Sequence, residues 1–289
     1  MTIRTFEPAS GVASAQGLDV SNFQGKYNWA AAVKAFPGLA FGIHRATQGL
    51  GAPGTNSPDP DMVWNHQQIR DNGLRRGAYH FLDPRLPGAA QARYFVDELE
   101  RIGLVKNDML WCDNETAGPS AAATADCAAA FMAELVKLRP ENPCGTYTYI
   151  SFANEGNCAG LGKYPLWLAF PSSSAPKPPP PWARWQFWQW GLRNGIDADA
   201  FNGTIADLDA WIASFHPSST WQAWPSDGKT SLAQLAGECG LWPSHVLSAT
   251  AAHYGRFDSV TASYVSAVFD GTLSPAQPVP TGATLWVRK

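Results

Sequence analysis

The segment that decides the fold is Met109–Glu115, with the sequence MLWCDNE. Its apolar first half, Met109–Trp111, leads into two acidic residues, Asp113 and Glu115. Alternate residues of a strand face the same side, so the segment predicts a buried strand with both carboxylates in one pocket. Barrel enzymes place their active sites at the carboxyl ends of their parallel strands. The segment therefore links one predicted barrel strand to a candidate site at its end.

Apolar runs on both sides of this segment alternate with helical patterns, which is the signal of βαβ units. Eight strands with intervening helices predict an α/β fold and a closed barrel of the TIM type. The later connections are short or irregular, so we expect the last part to depart from a regular β/α repeat. The predicted strands are Gly17–Ser21, Leu39–Thr47, Arg76–Asp83, Met109–Glu115, Gly145–Ile150, Leu166–Phe170, Trp185–Trp190 and Asp197–Phe201. The predicted helices are Trp29–Ala35, Met62–Asn72, Ala89–Ile102, Ala121–Leu138 and Ile205–Ile212.

A length of 289 residues fits a large domain followed by a small module. The proline-rich segment 171–181 has the composition of a linker, but strand patterns that are needed to close the barrel follow it. We therefore interpret it as a surface loop and place the linker at 216–220. The linker separates a barrel at 1–215 from an α+β module at 221–289, which is long enough for a small domain.

The composition argues against several classes of protein. A formal net charge of −3 lacks the basic excess of nucleic-acid-binding proteins, and no apolar run is long enough to span a membrane. The N-terminal segment has no apolar core of a secretory signal, so we expect synthesis in the cytoplasm. The cysteines lack a CxxC pair and are expected to be free thiols, although one disulfide within the first 160 residues stays open. They are Cys112, Cys127, Cys144, Cys158 and Cys239.

Acidic residues also accompany the first and last predicted strands. Asp19 lies in GLDVSNFQG, and Asp197 and Asp199 lie in GIDADAFNG, at the end of the last strand. The first and last strands of a closed barrel are neighbours, so we expect these acids to meet Asp113 and Glu115 at one mouth. Crowding raises the pKa of one carboxyl, and a proton donor beside a permanent carboxylate is what glycoside cleavage requires. Solvated acids at a strand end and a metal site are the alternatives.

Other kinds of catalytic site have little support. Cys112 neighbours the acids but lies on the opposite face of its strand, which argues against a cysteine nucleophile. No GxSxG, Walker or GxGxxG motif is present. His80 stands between Tyr79 and Phe81, where a structural hydrogen-bonding role is commoner than a catalytic one. The 13 tryptophans fit either a large core or platforms for sugar rings.

Eight short motifs occur in a recognisable order between residues 17 and 203. They are GLDVSNFQG, FGIHRATQG, RRGAYHF, LWCDNE, GTYTYIS, PLWLAF, FWQW and DADAFNG. Together they resemble the glycoside hydrolase family 25 lysozymes, the Chalaropsis-type muramidases. The resemblance implies a modified TIM-like (β/α)5(β)3 barrel. It also implies hydrolysis of the β-1,4 bond from N-acetylmuramic acid to N-acetylglucosamine in the glycan strands of peptidoglycan, and we expect no cofactor and no metal.

The resemblance implies roles for individual residues. Glu115 corresponds to the general acid and Asp113 to its partner, and Asp19 and Asp197 correspond to two further acids of the site. The residues expected to bind the glycan are Tyr79, Tyr149, Trp167, Gln189, Asp199 and Arg45.

Two positions depart from the family. Gln48 stands where the family often has Glu, so a supporting salt bridge would be lost, and Asp199 stands where Asn is common. Neither change removes a core acid, so we expect activity.

The spacing of the two acids leaves the mechanism open. Side chains at i and i+2 of a strand are about 6.6 Å apart, which does not decide between a retaining and an inverting enzyme. We favour a third route, in which the 2-acetamido oxygen of the substrate is the nucleophile. Asp113 would orient this group, and Glu115 would protonate the leaving oxygen.

The C-terminal module loosely resembles LysM peptidoglycan-binding modules. Residues 227–240, DGKTSLAQLAGECG, predict an amphipathic helix that stops at Gly240. A packing domain without a ligand is the alternative.

A lysozyme barrel with such a module and no signal sequence resembles a bacteriophage endolysin. We expect a monomer that accumulates in the host cytoplasm and reaches the wall through a holin. A bacterial autolysin exported by another route is the alternative origin. The alternative functions are a chitinase-like glycosidase and a catalytically inactive wall-binding lectin.

Overall fold

The structure is a computed structural model that describes residues 14–215, 221–238, 274 and 276–288. The chain divides into two compact units, Met1–His216 and Pro217–Lys289. The division falls inside the segment 216–220, where the sequence predicts a linker.

Eight strands of the first unit form a closed barrel in the order of the chain. Each strand from the first to the sixth pairs in parallel with the next, and the eighth pairs antiparallel with the seventh and the first. The predicted α/β barrel is therefore confirmed. The strands are β1 (Gln16–Val20), β2 (Leu39–Gln48), β3 (Arg75–Phe81), β4 (Met109–Asp113), β5 (Cys144–Tyr149), β6 (Leu166–Ala169), β7 (Phe187–Arg193) and β8 (Ile196–Phe201).

A helix follows each of the first five strands, and a sixth helix follows β8. This is the expected arrangement of five β/α units and three further strands. The pattern does not predict the short fifth helix or the π-helical turn Ala153–Asn157 after it, because so few residues carry no helical period. The helices are α1 (Trp29–Ala35), α2 (Met62–Asp71), α3 (Gly88–Arg101), α4 (Ala121–Leu138), α5 (Ile150–Phe152) and α6 (Ile205–Ser214).

The last strand runs opposite to the other seven, which corrects one expectation. Asp197 is the second residue of β8, so it lies at the start of this strand and not at its end. It still reaches the barrel mouth, because the antiparallel direction turns the amino end of β8 towards the carboxyl ends of the others. Asn194 and Gly195 form the turn between β7 and β8 with φ angles of 52° and 80°. Asn-Gly with two positive φ angles is the preferred two-residue hairpin turn, so this dipeptide is the sequence signal for the reversal.

Side chains of β4 alternate between the barrel interior and the surrounding helices. Met109 and Trp111 are fully buried in the interior, whereas Leu110 and Cys112 pack in the layer beneath the helices. The interior core is largely aromatic, and burying one large apolar side chain stabilises a fold by roughly 1.5–3 kcal/mol. Its largest members are Phe41, Trp111, Trp167, Phe187 and Phe201. Aromatic packing thus closes the barrel below the mouth, where Asp113 ends β4.

The second unit contains β9 (Trp221–Pro225), α7 (Leu232–Glu238) and β10 (Thr284–Arg288), and β9 pairs antiparallel with β10. Helix α7 agrees with the helix predicted in this segment, while Gly240 lies outside the described residues. Ser231 and Gln234 cap the helix reciprocally: the Ser231 Oγ accepts the Gln234 amide at 3.1 Å, and the Gln234 Oε1 accepts the Ser231 amide at 3.0 Å.

Cysteines in the described part of the barrel are free thiols, namely Cys112, Cys127, Cys144 and Cys158. Cys239 lies outside the described residues. Within the described ranges, we find no helix whose length and apolar character would let it cross a membrane.

Candidate active site

A cavity of about 360 Å³ opens at the mouth of the barrel. It lies above the aromatic interior and is reached from the carboxyl ends of the parallel strands. Four acids line it, and the other lining residues come from β1 to β7 or from the loops that follow these strands. The lining residues are Asp19, Ser21, Phe23, Gln24, Arg45, Tyr79, Phe81, Asp113, Glu115, Tyr147, Trp167, Gln189 and Asp197.

The structure brings together all four acids that the sequence places at the mouth. Asp19 of β1 pairs directly with Asp197 of β8, so these two carboxyls arise from adjacent strands. Asp113 is the last residue of β4. Glu115 lies two residues beyond the strand, which is shorter than predicted, and its carboxyl nevertheless enters the same cavity.

Burial and mutual repulsion make the acids at this mouth reluctant to ionise. Asp113 is buried, and burial together with the charges of Glu115 and Asp19 raises its pKa well above 3.8. Its Oδ1 has no hydrogen-bond partner among the described residues. Glu115 is half-buried, and burial and the charge of Asp197 raise its pKa as well. A half-buried carboxyl with a raised pKa can deliver a proton to a bound molecule, which is the task of a general acid.

Hydrogen bonds from neighbouring side chains hold Asp19 and Asp199 in place. The Tyr147 hydroxyl donates to the Gln189 Oε1 at 3.0 Å, and the Gln189 Nε2 donates to the Asp19 Oδ2 at 2.8 Å. On the other side, the Trp167 Nε1 donates to the Asp199 Oδ1 at 2.8 Å. These bonds fix the orientation of the side chains before any ligand arrives.

Four of the six predicted glycan-binding residues line the cavity: Tyr79, Trp167, Gln189 and Arg45. The Trp167 side chain is only 2% exposed, and its ring packs edge-on against Tyr147 at 4.7 Å, so it forms a floor rather than an open platform. Arg45 forms an ion pair with Asp59 at 2.9 Å, so the neutral Gln48 does not leave this arginine unpaired.

The other two predicted glycan-binding residues are outside the cavity lining. Tyr149 is the last residue of β5 and its ring packs on Phe152 of α5. It is 36% exposed, and the nearby charge of Glu115 adds to burial in raising its pKa, so its role in glycan binding stays a prediction. Tyr147, two residues earlier on the same strand face, occupies the cavity wall instead. Asp199 is fully buried, so it cannot touch a substrate directly. Strand parity identifies the face in both cases, but it does not indicate how deep a residue lies along the barrel axis.

The loop after β1 contributes a residue that the sequence analysis does not identify. Phe23 is 84% exposed at the edge of the cavity, although it is a large apolar side chain. The loop is held by Asp59, whose Oδ2 accepts the Asn22 amide at 2.9 Å, and by Arg45, which donates to the Asn22 Oδ1. Its position directly after Asp19 in GLDVSNFQG is the signal that could have found it.

Among the described residues, no group of three or more His, Cys, Asp and Glu side chains is arranged to hold a metal ion. The orphan oxygen of Asp113 and the raised pKa values instead fit carboxyls that exchange protons.

Comparisons with known proteins agree with this arrangement. The family described as Glycosyl hydrolases family 25 matches residues 18–199. Lysozyme M1 of Streptomyces globisporus is 32% identical over 232 residues, which cover 71% of this chain and 73% of that protein. The bacterial lysozyme of Streptomyces coelicolor has a similar structure, with a TM-score of 0.60, 30% identity, and coverage of 72% of this chain and 99% of that chain. A muramidase from Acremonium alcalophilum gives a TM-score of 0.61 at 26% identity, covering 69% of this chain and 99% of that one.

Proposed function

The chain belongs to glycosyl hydrolase family 25, and on this premise we propose that it hydrolyses the β-1,4 bond from N-acetylmuramic acid to N-acetylglucosamine in peptidoglycan. The observation that carries the proposal is the meeting of four carboxyls at one barrel mouth, with a raised pKa at both Asp113 and Glu115. Relatives named lysozyme and muramidase support the substrate class.

In the proposed reaction, Glu115 acts as the general acid. It transfers its proton to the glycosidic oxygen as the bond from the anomeric carbon to this oxygen breaks. The 2-acetamido oxygen of the same sugar attacks the anomeric carbon, and Asp113 orients the acetamido group and takes up its N–H proton. A water molecule then opens the resulting oxazoline ring, and it returns one proton to Glu115 while the acetamido nitrogen regains its proton from Asp113. Glu115 is the residue with the access for proton transfer, because it is half-buried whereas Asp113 is buried.

The reaction is tested on purified, insoluble peptidoglycan. We expect loss of turbidity and the release of new reducing ends, and borohydride reduction should label them as muramic acid. Reduced glucosamine ends would assign the other glycosidic bond and overturn the proposed specificity. Chitin serves as the second substrate, since rapid cleavage of chitin with no effect on peptidoglycan would favour the chitinase interpretation.

The nucleophile is tested separately by NMR of the first sugar product. Attack by the 2-acetamido group requires two displacements, so the β anomer should appear first. An initial α anomer would exclude the substrate-assisted route while leaving Glu115 as the acid.

We further propose that the protein is a bacteriophage endolysin, a cytolytic and therefore antibacterial monomer that is made in the host cytoplasm, and that its second unit is a LysM-like module that binds the wall. Support comes from the order of a muramidase barrel and a small second unit, and from the β9, α7 and β10 elements of that unit. Pull-down of the full chain with intact walls measures this binding. A variant truncated after residue 216 that binds walls as tightly as the full chain would exclude a wall-binding role for the second unit.

A further inference from the structure

A second cavity, of about 450 Å³, lies at the end of the barrel opposite the mouth, and we call it the lower cavity. Leu166 is the first residue of β6 and Gln186 directly precedes β7, so the lower cavity opens at the amino ends of these parallel strands. Helix α6 contributes Trp211 and Ser214 to its lining. Its volume falls within the range of small-molecule sites, roughly 300–1,000 Å³.

The loops that precede β6 and β7 form one wall of the lower cavity and are fixed to each other. The Trp182 Nε1 donates to the Tyr164 carbonyl oxygen at 3.0 Å. A Cβ atom on Gly162 would lie 2.5 Å from the Pro181 carbonyl oxygen, so a residue without a side chain is needed at this close approach. The wall is therefore formed before a ligand arrives, which reduces the entropy that binding costs.

The lining of the lower cavity is basic. Lys163 and Arg184 line it and are exposed, and within the part of the chain that the structure describes, no Asp or Glu lines it. Neither cation forms an ion pair with a described residue. The lower cavity thus favours a ligand with a negative charge, in contrast to the mouth, where four acids line the cavity.

Aromatic rings and polar groups without partners accompany the two cations. The rings of Tyr164, Trp211 and Phe215 are half-buried and line the lower cavity, and Phe215 packs edge-on against Trp211 at 5.2 Å. Neither the side-chain amide of Gln186 nor the Trp211 Nε1 forms a hydrogen bond with a described residue. Aromatic surface beside available donors and cations suits a sugar that carries a carboxylate.

We propose that the lower cavity is a second binding site for the glycan of peptidoglycan, and that it takes a muramic acid residue with the lactyl carboxylate at Lys163 and Arg184. The choice of ligand rests on the proposed function, because muramic acid supplies both a sugar ring and a carboxylate. The site lies at the other end of the barrel from the reacting carboxyls. It therefore binds a different stretch of glycan from the one that is cut, and it holds the enzyme on the wall.

The probe is the disaccharide of N-acetylglucosamine and N-acetylmuramic acid, which is the product of the proposed cut and is not cleaved further by the full wild-type chain. NMR of the indole N–H signals follows its binding, with Trp211 reporting on the lower cavity and Trp167 on the mouth. We expect a saturable shift of the Trp211 signal. Diacetylchitobiose has similar sugar rings without the carboxylate and should bind at Trp211 at least about threefold more weakly. An unchanged Trp211 signal, or equal binding of diacetylchitobiose, would overturn the proposal.

The double variant Lys163→Ala/Arg184→Ala removes both cations and should weaken binding at Trp211 about three- to tenfold. Both side chains are exposed, so the variant should fold like the wild type. Lys34→Ala/Lys106→Ala is the matched control, because it removes two exposed cations that lie outside the lining and should leave binding unchanged. Equal weakening in the two variants would assign the effect to net charge and would refute the site.

Inorganic phosphate tests whether the lower cavity binds any anion. Phosphate that competes with the disaccharide and shifts the Trp211 signal in the same way would overturn the glycan assignment. A Trp211 response to the disaccharide without hydrolysis of peptidoglycan would remove the proposed function and leave the second site standing. Hydrolysis without a Trp211 response would remove the second site and leave the proposed function standing.

Discussion

Buried acids have two different environments in this barrel. Asp108, below the mouth, receives two hydrogen bonds from Arg76, of 2.8 and 2.7 Å, and both side chains are almost completely buried. Asp113, at the mouth, is equally buried but forms no ion pair, and one of its oxygens has no partner among the described residues. Burial raises the pKa of both acids. The hydrogen bonds and the charge of Arg76 oppose this rise at Asp108, whereas the charges of Glu115 and Asp19 add to it at Asp113.

The difference shows that the acids at the mouth lower the stability of the fold, whereas the Arg76–Asp108 pair does so much less. A buried ion pair with complete hydrogen bonds keeps its charges at little net cost, whereas crowded acids of one sign oppose the folded state. Within the described part of the chain, Arg45 is the only Arg or Lys that lines the cavity, and Asp59 already pairs with it. The aromatic packing beneath the mouth thus keeps the acids close together although their charges repel one another. Because this repulsion raises their pKa values, the acids can transfer protons.

The largest expected effect concerns Glu115, a half-buried acid that lines the cavity. Glu115→Gln removes the proton donor and should lower the rate of peptidoglycan hydrolysis by about 10²–10⁴-fold. The variant should fold normally, because the amide has the same shape and lacks the repulsive charge. Glu100→Gln on α3, whose side chain is 52% exposed, is the control and should leave the rate unchanged. A Glu115→Gln enzyme with more than a tenth of wild-type activity would remove Glu115 from the role of general acid.

The second prediction concerns the paired acid. Arg76→Met leaves the Asp108 carboxylate buried without its cation, and the free energy of unfolding should fall by about 3–5 kcal/mol. Arg75→Met is the matched control, because Arg75 forms an equally short pair of bonds with Asp209, but at the surface. An exposed pair contributes at most about 1 kcal/mol. Urea unfolding of both variants measures the contrast, and equal losses would contradict the role assigned to burial.

The third prediction is that replacing an acid at the mouth raises the free energy of unfolding instead of lowering it. Asp113→Asn should stabilise the protein by roughly 1–2 kcal/mol at pH 7 while it lowers activity. Asp108→Asn should instead destabilise it, because the amide cannot accept both bonds from Arg76.

The pH dependence follows from the raised pKa of Asp113. Its folded-state pKa lies above the ordinary value of 3.8, so its contribution to stability is complete below that value and is lost as the pH rises through the folded-state pKa. Asn does not titrate, so the advantage of Asp113→Asn should be close to zero at about pH 4 and grow towards neutral pH. Unfolding curves at several pH values measure this difference, and an advantage that shrinks with rising pH would contradict the raised pKa.

Much of the barrel can be predicted from local patterns. Helices α1 and α4 begin and end where the sequence predicts, since apolar spacing and the caps Asn28 and Ser120 act within a few residues. The direction of β8 was missed, although Asn194 and Gly195 carry a local signal for it.

How deeply a side chain is buried and which residue it bonds to are harder to predict, because both depend on residues far apart in the chain. Asp199 lies beneath the floor because Trp167, 32 residues earlier, covers it and bonds to it. Which of Tyr147 and Tyr149 lines the cavity depends on where β5 ends and α5 begins. The four acids themselves were predictable, since strand order alone brings strand ends together.

The smallest effect is expected at Phe23, where the two environments meet. The Arg45–Asp59 pair stabilises the loop that carries this ring, and the ring extends 84% exposed beside the unpaired acids. A rigid loop that presents an aromatic face to the cavity fits stacking against a sugar ring, so Phe23→Ala should raise KM about three- to tenfold with kcat nearly unchanged. Phe23→Trp should restore KM, whereas Val63→Ala, an exposed apolar residue of α2, should have no effect. A fall in kcat with KM unchanged would instead place Phe23 among the groups that act on the reacting bond. In that case, a loop stabilised by the Arg45–Asp59 ion pair would contribute to the reaction itself, and not only to substrate binding.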